Sequence, residues 1–79
     1  MEPEDSKAAL REELRQVEAD LMKLRRTAEE LRRQIGEEWY EPTDAAERAL
    51  LITAAEEQEA FAAELEARRE ELLRRLGTP

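Results

Sequence analysis

Residues 10–35 read LREELRQVEADLMKLRRTAEELRRQI, and this stretch decides the fold. Leu10, Leu14, Val17, Leu21, Leu24, Ala28, Leu31 and Ile35 follow one another by alternating steps of four and three, the a/d seam of a heptad repeat. So narrow a stripe suits a single partner helix, and the segment reads as one strand of a coiled coil. Pro3 followed by Asp5 or Ser6 is a start signal, and Gly36 directly after Ile35 is a stop signal. Together they predict a first helix over about residues 5–36.

A second periodic segment begins beyond a connection at 37–43. Pro42 interrupts the chain, Thr43 or Asp44 can cap a new helix, and Asp44 with Glu47 has the spacing of a capping box. This second helix is expected over about residues 44–76. Its apolar residues suggest a different period: Leu50, Phe61 and Leu72 are eleven apart, as are Leu51, Ala62 and Leu73, and Ala54, Leu65 and Leu76. An eleven-residue repeat corresponds to about 3.67 residues per turn, so the expectation is a nearly straight or slightly right-handed helix. The doublets widen its apolar face beyond one seam, and a wide face asks for more than one neighbour. Gln58 and Arg68 or Arg69 stand where this face lacks an apolar residue. Their stems can snorkel beside a core, or Gln58 can act as a buried polar residue that fixes register.

The short connection forces the two helices antiparallel. The expected fold is therefore all-α: an antiparallel two-helix coiled-coil hairpin forming a single domain. A 79-residue chain rarely draws more than about 3–5 kcal/mol from one core without disulfides, metal or oligomerisation. A homodimer closing into a four-helix bundle is the expected remedy. The surface for self-association or for a partner would comprise Leu50, Leu51, Ala54, Phe61, Ala62, Leu65, Leu72, Leu73 and Leu76.

Composition narrows the function classes. The chain has no Cys and no His, which removes thiolate and imidazole ligands, disulfides and histidine-based catalysis. No cofactor or metal is expected, and the reading is of a protein that is not an enzyme. A net charge of −8 disfavours direct binding to DNA or to anionic membranes. No apolar run is long enough to span a bilayer, and the first residues are acidic where a signal peptide would be basic, so a cytoplasmic location is expected.

The negative charge has a location. Between Glu37 and Glu66 there are ten acids and one base, Arg48, while the remaining residues nearly balance. Much of this complements helix dipoles and a basic first helix. Trp39 and Tyr40, two of the three aromatics, lie in the connection and outside both stripes. They can fold back over the bundle end or serve as an anchor for a partner. Glu37, Glu38, Trp39, Tyr40, Glu41, Asp44 and Ala46 thus form a candidate interaction tip.

Glu41-Pro42-Thr43-Asp44-Ala45-Ala46 is similar to the tip of the DksA and TraR coiled coils, with Glu in place of the first Asp of that pattern. Ala54-Ala55-Glu56-Glu57-Gln58-Glu59-Ala60-Phe61 resembles the second hairpin helix of the Gre transcript-cleavage factors, and Leu10-Arg11-Glu12-Glu13-Leu14 the start of their first. These are bacterial factors whose acidic hairpin enters the secondary channel of RNA polymerase. The resemblance implies a small transcription regulator whose partner is RNA polymerase, with Glu41 and Asp44 as tip acids and Ala46 as the small tip residue. The alternative reading is a structural or adaptor bundle that binds another protein through the wide face of the second helix.

Overall fold

The computed structural model describes residues 3–38 and 44–77. They form two α-helices, α1 (Pro3–Glu38) and α2 (Ala45–Leu76), packed along each other as a hairpin. The molecule is a rod of 62 × 18 × 14 Å with a radius of gyration of 17.7 Å, against about 12 Å for a compact domain of this length. Neither helix is long and apolar enough to cross a membrane.

Helix ends show which local signals operate. Pro3 is the first helical residue, where its fixed φ and missing N–H cost nothing. Asp5 and Ser6 therefore lie within the helix and do not precede it. At its other end α1 runs through Gly36 to Glu38. The expected stop fails because a helical glycine costs only about 1 kcal/mol relative to alanine, and the residues around Gly36 remain in the ladder. Gly36 is exposed, with nothing near its missing side chain. Trp39, Tyr40, Glu41, Pro42 and Thr43 lie outside the described residues.

α2 is capped at both ends. Asp44 has extended backbone (φ −61°, ψ 126°), its carboxylate accepts a hydrogen bond from the Ala46 N–H at 3.2 Å, and its carbonyl accepts from the Arg48 N–H at 3.0 Å. Glu47 in the first turn and Arg74 and Arg75 in the last complement the dipole. Gly77 closes the helix in the left-handed conformation (φ 77°, ψ 20°), donating its N–H to the carbonyls of Arg74 and Leu73.

The core is thin. Among the described residues, Val17, Leu21 and Ala28 of α1 and Ala55, Ala62 and Leu72 of α2 are the buried apolar ones, and no polar or charged residue is buried. On α1 the rest of the heptad seam, Leu10, Leu14, Leu24, Leu31 and Ile35, is half-buried, as its spacing requires. On α2 the expected eleven-residue face is corrected. Arg48, Leu51, Ala55, Gln58, Ala62, Leu65, Arg69, Leu72 and Leu76 are all buried or half-buried, and they step alternately by three and four. This is a second heptad seam, matched to the first. Each eleven-residue step advances an apolar position by about 50° around a helix wound at 3.5 residues per turn. The set Leu50, Phe61, Leu72 therefore slides from outside to inside: Leu50 is 71% exposed, Phe61 54% and Leu72 0%.

Candidate functional site

Two heptad seams leave two long flanks on the hairpin, one on each side of the contact. They differ in chemistry. On one side, Glu18, Arg25 and Arg32 of α1 succeed one another at seven-residue intervals beside the seam. Arg32 holds Glu59 through two hydrogen bonds of 2.9 and 2.8 Å, Arg25 pairs with Glu66, and Glu18 accepts from Arg69 at 2.9 Å. A shallow groove runs beneath these bridges, floored by Ala28, Ala62 and Ala63. Small residues at facing seam positions leave this hollow, and the ion pairs stand on its rim.

The hydrogen bond from Arg32 and its charge hold the Glu59 carboxyl below the usual carboxylate range, and the bond to Glu59 in turn raises the Arg32 guanidinium. Within α1, Arg33 is raised by its bond to Glu30 and by the charge of Glu37. All of these groups are solvent-exposed, so they serve orientation more than stability.

On the opposite side, at the base of the hairpin, Glu13 accepts across the helices from Arg68 at 2.8 Å. Stepping by sevens from Glu13, α1 presents Asp20, Thr27 and Gln34. Stepping back from Arg68, α2 presents Phe61, Ala54 and Glu47. Leu50 lies next to Ala54 one turn away. Leu50 and Phe61 project from this flank, and with Met22, 60% exposed on α1, they are the large apolar side chains most open to solvent among the described residues. Met22 lies on the other flank, in a hollow it shares with Glu18, Leu21, Arg25 and Arg69.

The nine residues expected to form the association face are thus divided by the structure. Ala62 and Leu72 are buried by α1, and Leu51, Leu65 and Leu76 are half-buried in the same seam. Leu73 is half-buried on the ion-paired flank. Ala54 is half-buried on the apolar flank, and Leu50 and Phe61 stand out from it. Of the nine, Leu50 and Phe61 are the two that remain exposed.

Among the expected tip residues, Glu37 ends α1 and is exposed, Glu38 is its last residue, and Asp44 and Ala46 open α2. Asp44 and Ala46 are joined by the capping hydrogen bond, so the Asp44 carboxylate has a structural role whatever else it does. Trp39, Tyr40 and Glu41 belong to the undescribed connection. Among the described residues no cluster of three or more acids could hold a metal ion.

Sequence reasoning missed the difference between the flanks. The signal was present: Glu18, Arg25 and Arg32 at steps of seven on α1, with Glu59 and Glu66 at a step of seven on α2. Reading it requires the heptad register of α2, which the eleven-residue pattern obscured. Compared with models of protein families, with curated proteins and with solved structures, the chain matches none of them.

Proposed function

We propose that this chain is a non-enzymatic protein–protein interaction module that works through the apolar flank of α2. The observation that carries this reading is the exposure of Phe61 and Leu50 on the flank where the Glu13–Arg68 bridge stands at the base of the hairpin. A phenylalanine held on a rigid helix loses little freedom on binding and offers the kind of anchor that protein interfaces use. Site-specific photo-cross-linking in the native cell tests it. A photoreactive phenylalanine analogue at position 61 should give discrete protein adducts, and the same group at Arg26, on the outer side of α1, should not. Absence of adducts at position 61 would end this reading.

A finer proposal rests on charge. Glu37, Asp44 and Glu47 gather at one end of a 62 Å rod, an arrangement suited to end-on insertion of an acidic tip into a larger protein. In this proposal the chain is a small transcription regulator and RNA polymerase is the partner. Purified bacterial RNA polymerase should bind it at low salt, and Glu41→Ala with Asp44→Ala should weaken binding at least tenfold while helicity is kept. Because Asp44 caps α2, Asp44→Asn, which keeps an acceptor at the cap, separates loss of charge from loss of the cap. No binding of polymerase at low salt would sink the proposal.

A further inference from the structure

The distribution of apolar residues around the two helices differs in kind. α1 carries one stripe, turned to α2, with charged or polar residues over most of the rest of its circumference. α2 carries apolar residues on its seam, on both flanks and along its back, where Ala46, Ala49, Ala60 and Ala67 are exposed. A helix with one apolar stripe is built for one neighbour, whereas one that is apolar on several sides is built to be surrounded. In the hairpin α2 has only α1 beside it.

Area leads to the same conclusion. The chain exposes 6030 Å², whereas a compact monomer of this mass exposes about 4,900 Å². The excess, roughly 1,100 Å², is comparable to the ~800 Å² that each partner buries in a standard protein interface.

Resting on the interaction-module reading above, we infer that the apolar flank of α2 is covered by α2 of a second copy of this chain, antiparallel about a two-fold axis at Phe61. The seven-residue series through Phe61 is self-complementary about that residue, with exposed Glu57 and Glu64 one turn to either side of it. At seven-residue steps it reads Glu47, Ala54, Phe61, Arg68, Arg75, and Phe61 lies at the middle of Ala45–Leu76. Reversal about Phe61 places Phe61 against its own copy, Ala54 against Arg68 and Glu47 against Arg75. The two aromatic rings meet at the axis, a small residue faces a long one, and opposite charges meet at both ends. A parallel arrangement would set Glu47 against Glu47 and Arg75 against Arg75, which is repulsive at both ends. The two α2 helices then form the inner pair and the two α1 helices the outer pair, which gives each helix the number of neighbours its apolar faces require.

Sedimentation and spin-label distances test this on the full chain. The wild type should sediment as a dimer at tens of micromolar, and Phe61→Glu should weaken dimerisation at least a hundredfold while keeping its helical circular dichroism. Glu47→Arg alone and Arg75→Glu alone should each weaken it about tenfold. The double variant should return to within about threefold of wild type. Because the chain has no cysteine, Ala46→Cys carries a single nitroxide on an exposed position away from the flank. An axis at Phe61 puts the two labels about 45 Å apart along the helices, and a parallel pair puts them within about 30 Å. A monomeric wild type overturns the second copy yet leaves the cross-linking at position 61 to decide the interaction reading. A dimer with close labels, or without recovery in the charge-swapped double variant, overturns the antiparallel register.

Discussion

Among the described residues Leu72 is the one large side chain with no exposed surface, in a core that otherwise relies on Val17, Leu21 and three alanines. So thin a core cannot redistribute the loss of one member. Leu72→Ala should cost about 2–5 kcal/mol, enough to remove most of the cooperative thermal transition, which far-ultraviolet circular dichroism would follow. The two glycines make a contrast at the same scale. Gly77 holds φ 77°, where an L side chain is strained, so Gly77→Ala should destabilise by about 1–2 kcal/mol. Gly36 sits in helical conformation with open space around it, so Gly36→Ala should stabilise by up to about 1 kcal/mol. Each kcal/mol corresponds to roughly 4–8 °C in Tm for a domain of this size, so calorimetry should show the two substitutions moving in opposite directions. Sequence alone named Gly36 as a stop, because a glycine after a periodic run has the same composition whether or not the backbone turns left-handed there.

At the scale of the element, the heptad of α1 was legible because leucine or a near equivalent occupies every seam position. The seam of α2 was not, since it accepts Arg48, Ala55, Gln58, Ala62 and Arg69, while leucine and phenylalanine also stand outside it at Leu50 and Phe61. Apolar character therefore stopped marking the inward direction, and only the wrap of α2 along α1 restores it. The flank charges then fall into place as oriented cross-helix pairs. Glu59 is the member with a depressed pKa, caused first by its hydrogen bond from Arg32. A carboxyl whose folded pKa lies below its unfolded value contributes stability that is fully present above the unfolded value. That contribution is lost as pH falls through the folded one. Glu59→Gln should therefore flatten the fall of stability as pH drops through and below the ordinary carboxylate range, as read from urea midpoints at each pH. An unchanged slope would show that the pair contributes nothing in solution.

As a whole the molecule is a rod too slender to bury its own second helix. If α2 is shared between copies, stability becomes a function of concentration, because dissociation accompanies unfolding. Raising the concentration a hundredfold should raise Tm by on the order of 8 °C for the wild type and leave that of Phe61→Glu in place. The sequence by itself determined that the chain is helical, that its two periodic segments fold back on each other, that α1 has a single apolar stripe and that acids concentrate where the two segments join. Those properties follow from residue type and local spacing. Which side of α2 faces inward, which flank the ion pairs close and which leaves Phe61 and Leu50 in solvent were decided only by the tertiary structure. The reason is geometric: a supercoiled pair measures position around each helix from its partner, and an apolar repeat of eleven does not keep pace with that frame.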